Sequence, residues 1–212
     1  MTFFNPEAAS SRVSEAWVKD LWDRYPCVKL DNGNVRTGAV RLSFPHLFTA
    51  QKAMEPGKPD KFTATCLFPA GADLSVLKAE ASAVAKAKWP DAGAQGGPTL
   101  HSPFRNQGEK LKFSGYVDGS VFITASGERR PPVVDLNVAP ITDESKVYPG
   151  VWAFVTLRCF DFDAKVKKGV SFGLQSVMII ADDDNLGGGG SDPNADFAGV
   201  SIEQSVNPKD LF

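Results

Sequence analysis

Residues 150–163 read GVWAFVTLRCFDFD. The run divides by parity. Val151, Ala153, Val155, Leu157 and Cys159 are aliphatic or small, whereas Trp152, Phe154, Thr156, Arg158, Phe160 and Phe162 are mostly aromatic, with one cation among them. Successive side chains of a strand point to opposite faces, so the run predicts a long strand with one face in a core. Two destinations compete for the other face. Flat rings beside an arginine suit a single nucleic-acid strand, where a base stacked on a ring is worth about 1–3 kcal/mol whatever its identity. The same rings also suit packing beneath a helix or an N-terminal extension.

The same period extends outward from this strand. Residues 35–44 alternate, with Val40, Leu42 and Phe44 on one side and Arg41 and Ser43 on the other. Phe62, Ala64, Cys66 and Phe68 alternate until Pro69, and residues 170–180 read as another long strand. Shorter runs at 111–117, 120–124 and 133–138 are separated by turn signals. Residues 46–61 read as a Pro/Gly-rich loop carrying Lys52, Lys58 and Lys61.

Helical spacing occurs twice. Val13, Ala16, Trp17 and Leu21 place a helix over residues 8–24, stopped by Pro26. Asp73 is positioned to cap a second helix with Leu74, Leu77, Ala81, Val84 and Ala85 on one face, halted at Trp89-Pro90. The fold class is therefore mainly β: an OB-like Greek-key barrel with an inserted helix and an N-terminal helical extension. The expected organisation is a partly helical extension over 1–34, a barrel domain over 35–181 and a flexible acidic tail over 182–212.

Charge is distributed unevenly. Of 23 Lys+Arg, 22 precede residue 181, against 18 of the 25 Asp+Glu, so the body carries +4 and the remainder −6. A near-neutral whole-chain balance of −2 thus conceals a basic body. Basic and aromatic residues interleave at Phe104-Arg105, at Lys110-Leu111-Lys112-Phe113 with Tyr116, and at Lys146-Val147-Tyr148. Cations scattered over strands fit a single-strand binder and disfavour a recognition helix. The candidate DNA contacts are Arg41, Arg105, Lys110, Lys112, Tyr116, Arg129, Arg130, Tyr148, Trp152, Phe154 and Arg158. Duplex DNA is an additional candidate ligand.

Enzymatic readings fail on context. Gly169-Val170-Ser171-Phe172-Gly173 fits G-x-S-x-G, but the residues that follow read as strand, and both histidines, His46 and His101, precede the serine. Asp182-Asp183-Asp184 reads as part of a solvated tail, and the chain has no C-x-x-C pair or Walker A sequence. No catalytic residue, metal or cofactor is expected. Three widely spaced cysteines, Cys27, Cys66 and Cys159, odd in number, suit buried thiols in a reducing compartment. No apolar run approaches a membrane span and no leader is evident.

The stretches GVSFGLQSVMII running into ADDDNLGGGGSDPNADF, KVYPGVWAFVTLRCFDFD, the helix between early strands and the terminal Asp210-Leu211-Phe212 resemble the acidic-tailed, OB-fold single-stranded DNA-binding proteins of tailed bacteriophages. SPFRNQGE, VFITASGERRPPVVDLNVAPITD and VYPGVWAFV are also similar to a phage family known as a conserved domain of unknown function. The resemblance covers roughly residues 37–212. It implies sequence-independent single-stranded DNA binding in phage replication and recombination. It also implies a tail whose Asp210, Leu211 and Phe212 recruit replication proteins such as a polymerase or helicase. A homo-oligomer is compatible with it. The competing expectation is a phage structural or scaffold-type interaction protein that never touches DNA.

Overall fold

The computed structural model of the chain describes residues 12–93, 97–164 and 167–187. Among these residues the elements are helix α1 (Glu15–Arg24) and strands β1 (Val28–Lys29), β2 (Val35–Arg36), β3 (Val40–Gln51) and β4 (Lys61–Leu67). Helix α2 (Ser75–Lys88), β5 (Arg105–Asn106), a 3-10 turn (Gln107–Lys110), β6 (Val121–Gly127) and β7 (Val133–Val134) follow. A second 3-10 turn (Glu144–Lys146), β8 (Trp152–Asp163) and β9 (Lys168–Ala181) complete the set.

Five strands close on themselves. β3 pairs with β4, β4 with β6, β6 with β9, β9 with β8 and β8 with β3. In chain order this is a 1-2-3-5-4-1 barrel, the arrangement expected of an OB-like Greek key. The predicted core face of β8 is the inner face: Val151, Ala153, Val155 and Leu157 are buried with Leu42, Ala64, Cys66, Ile123 and Phe172. Helix α2, inserted between the second and third barrel strands, plugs the interior with Leu77 and Ala81. Its start is one residue later than read from the sequence. Leu74 holds the cap position, and Asp73 Oδ1 accepts from Ser75 N at 2.8 Å. That bond holds the Asp73 carboxyl below its usual range.

The N-terminal extension folds onto the barrel. Ser14 caps α1, accepting from Trp17 N. Trp22 Nε1 donates to Ala39 O at 2.8 Å, and β1–β2 extend the sheet along β8. A Cβ at Gly38 would come within 2.7 Å of the Trp22 ring, so only glycine lets α1 seat this closely.

Several expected boundaries move for identifiable reasons. Residues 46–51 are strand, because β3 continues past a bulge: Ser43 faces Thr65 but His46 faces Thr63, leaving one extra residue in between. Residues 111–117 are not strand. The buried Gln107 side chain donates to Phe68 O and Val121 O and accepts from Val117 N, occupying hydrogen bonds a ladder would have made. Beyond Val134 the chain turns, with Asp135 Oδ1 accepting from Asn137 N and Ala139 N. The G-x-S-x-G serine lies inside β9, without an elbow.

Candidate nucleic-acid interface

The outer surface of the barrel is legible from strand register. Arg41, Leu67, Phe122 and Arg105 form one row across β3, β4, β6 and β5. Ser43, Thr65 and Thr124 form the next, and His46, Thr63, Ser126, Gly173 and Arg158 a third that continues through β9 to β8. The middle of this surface is a floor of small polar side chains, with Thr65 and Thr124 hydroxyls 3.1 Å apart. Phe160 rises beside its far edge: a Cβ at Gly173 would lie 3.8 Å from the Phe160 ring.

An aromatic and cationic cluster stands at the near edge. The turn after Lys110 brings Phe113 and Tyr116 back over the sheet. Phe44 meets Phe113 edge-on at 5.2 Å, Phe113 lies 6.1 Å from Tyr116, and Tyr116 lies 5.8 Å from Phe122. Lys110 Nζ sits over three of these rings, 4.9 Å from Phe122, 5.7 Å from Phe44 and 5.8 Å from Tyr116. Arg105 lies over Phe122 at 5.2 Å and Lys112 over Phe113 at 5.2 Å. Burial, then Arg105, lowers the Lys110 pKa from its usual value. Phe44 and Phe113 stay open to solvent, at 42% and 37% exposure.

Phe44 is the unusual member. It occupies the bulge with φ +47°, a left-handed conformation that costs a non-glycine residue roughly 1–2 kcal/mol. Parity in the sequence assigns it to the core beside Leu42; the bulge turns it out. Pro45, which cannot donate to a ladder, is the sequence signal that marks this break. Strain of this kind is retained where the displayed side chain has a use.

The other candidates divide by exposure. Arg129, Arg130, Arg158, Arg105 and Lys112 are exposed, with Arg130 over the Phe48 ring at 4.8 Å. Tyr116 is 1% exposed and donates to Ser43 Oγ at 3.3 Å, so it supports the cluster from below. Phe154 is partly covered by Tyr25 and Arg36.

Trp152 and Arg41 require correction as surface contacts. Trp152 is 7% exposed, covered by Trp17 of α1, and its Nε1 donates to Asp183 Oδ2 at 2.7 Å. Arg41 is 5% exposed; it donates to Gly150 O and Asp184 O and lies 3.4 Å from Asp183. Tyr148 donates to Asp183 O at 3.0 Å. Asp183, read from sequence as solvated, is 1% exposed and is the hub of this network, accepting also from Arg12 N at 2.7 Å. A buried carboxylate is tolerable only with such a set of donors.

Beyond Asp183 the chain crosses to the cluster. Leu186 packs with Leu67, Tyr116 and Phe122, filling the space a side chain at Gly115 would take. Asp210, Leu211 and Phe212 lie outside the described residues. Among the described residues no helix is long and apolar enough to span a membrane, and no group of three or more His, Cys, Asp or Glu could hold a metal ion.

Comparison with known proteins places this architecture. The profile of the Enterobacter phage Enc34 ssDNA-binding protein family matches residues 33–208. The chain is 28% identical over 178 residues to putative protein p50 of Acyrthosiphon pisum secondary endosymbiont phage 1, spanning 80% of this chain and 95% of that one. The Enc34 single-stranded DNA-binding protein in complex with ssDNA superposes with a TM-score of 0.62 at 20% identity, over 76% of this chain and 93% of that one. The T7 single-stranded DNA-binding protein gp2.5 superposes with a TM-score of 0.55 at 13% identity, over 77% and 99%. At these identities the structural likeness is one of fold. Helix α1 precedes the family match.

Proposed function

The chain belongs to the family of the Enterobacter phage Enc34 ssDNA-binding protein, and from that premise we propose that it binds single-stranded DNA without sequence preference, in phage DNA replication and recombination. The binding surface is the outer face of β3, β4 and β6. Bases stack on Phe44 and Phe113, and phosphates meet Arg105, Lys110, Lys112 and Arg158, with Arg129 and Arg130 extending the path. The second and third strands of an OB-type barrel, here β4 and β6, are the face such folds use for oligonucleotides. The observation that carries the reading is Phe44, held in a strained bulge, open to solvent and with the Lys110 ammonium over its ring. No enzymatic step is part of it.

The organisation follows the same reading: an N-terminal extension, a barrel domain that includes Asp183 and Leu186, and an acidic tail. Three of the seven acids past residue 180, Asp182, Asp183 and Asp184, lie in the described body. The remaining four lie beyond it with Lys209. Leu186 packs on Phe122, the ring that Lys110 and Arg105 overlie, and in this reading the segment that follows competes with DNA for the cluster and is released when DNA binds. Asp210, Leu211 and Phe212 are then free for a polymerase or helicase in the host cytoplasm.

The experiment is a titration of labelled single-stranded and duplex oligonucleotides at two salt concentrations. Salt-sensitive binding that favours the single strand supports the reading. Absence of binding at low salt leaves a scaffold-type interaction protein.

A further inference from the structure

A cleft of about 1030 Å3 separates α1 from the barrel. Its walls are largely apolar: Val18 and Trp22 from α1, Leu67 and Phe68 at the end of β4, Trp152, and Val117. The helix above it is fixed at both ends. Trp22 is bonded to Ala39 and pressed against Gly38, while Arg12 is bonded to Asp183 and Asp184. The gap between these two anchors is therefore built into the seating of the helix. The walls of an apolar cavity of this size, open to water, go without the dispersion partners that a filling side chain would supply.

We propose that Phe3 and Phe4 of this chain occupy the cleft, wedged between α1 and the barrel. Residues 1–11 lie outside the described residues, and the chain enters the description at the cleft itself, where Val13 and Ser14 form part of the lining. Phe4 precedes Val13 by nine residues, a span of up to about 30 Å when extended, so reach imposes no limit. The segment MTFFNPEAASS carries two adjacent aromatics and a single charged side chain, Glu7. The charged lining residues are Glu15, Asp23, Asp73 and Asp184 against Lys19 and Arg41, a net negative rim. That rim disfavours the other undescribed terminus, where four acids accompany the single Lys209 on the way to Leu211 and Phe212. Apolar content suits both termini; charge selects the N-terminal one. The extension thus acts as a clasp holding α1 over Trp152.

The test uses the full chain and its Phe3→Ala/Phe4→Ala variant. Trp22 and Trp152 line the cleft, so the variant shows red-shifted tryptophan emission and several-fold higher binding of an apolar-surface dye, with unchanged far-UV circular dichroism. The Phe3→Leu/Phe4→Leu variant, which keeps apolar bulk, retains the parent signals. A peptide of residues 1–8 added to the alanine variant restores them, and a peptide of residues 205–212 does not. Unchanged emission and dye binding in the alanine variant would overturn the proposal. So would reversal by the C-terminal peptide, or the same opening on truncation at residue 191.

Discussion

Replacing Phe44 with glycine should separate binding from folding. A base stacked on one ring is worth about 1–3 kcal/mol, so Phe44→Gly is expected to raise the Kd for single-stranded DNA roughly 5- to 150-fold. Stability should hardly move, because two effects oppose each other. The ring is 42% exposed, so roughly three-fifths of a phenylalanine's burial is lost, about 1–2 kcal/mol. Against this, glycine adopts φ +47° freely and removes about 1–2 kcal/mol of backbone strain. The net change is expected within about 1 kcal/mol, a shift of a few degrees in Tm. Fluorescence anisotropy with labelled oligo-dT at low salt reads the first quantity and thermal circular dichroism the second. Parent-like affinity in a folded variant would refute the assignment of Phe44 to stacking. A collapse in Tm with affinity per folded molecule preserved would make the residue structural.

Trp152→Phe should do the reverse: it strips one donor from the buried Asp183 and lowers stability by about 1–3 kcal/mol by thermal denaturation, while DNA affinity at a temperature where the variant is folded stays at the parent value. Neutralising Arg105 and Lys112 together should flatten the log K against log salt plot, by about 0.7 for each phosphate that is no longer neutralised; an unchanged slope would remove them from the path. Truncation before Asp192 should tighten single-strand binding, most at low salt, and equal binding at every salt would leave the tail without a competitive role. Burial pushes the Cys66 thiol up to about 12 and those of Cys27 and Cys159 to about 11. Their contribution to stability is therefore full below the unfolded thiol pKa of about 8.5 and is lost as pH rises through about 11 for Cys27 and Cys159 and about 12 for Cys66. Thiol titration at pH 8 should find all three unreactive in the native chain and reactive in denaturant.

What could be read from the sequence was whatever depends on neighbours a few residues apart. The parity of residues 151–159 identified the barrel wall, because side-chain alternation is a property of the strand's own backbone. The spacing of Leu74, Leu77 and Ala81 found the plugging helix, and the cations of residues 105–112 belong to the loop that carries the outer-face aromatic cluster. The destination of the opposite parity was not legible. Trp152 is buried because Trp17, far earlier in the chain, covers it, and Asp183 is buried because Arg41, Trp152 and Arg12 converge on it. Phe44 leaves the core because an extra residue in β3 shifts its register against β4. Lys110, Phe113 and Tyr116 converge because the Gln107 amide replaces a strand ladder. Local periodicity says which residues share a face; only contacts between segments distant in sequence decide whether that face meets water, a helix or a ligand.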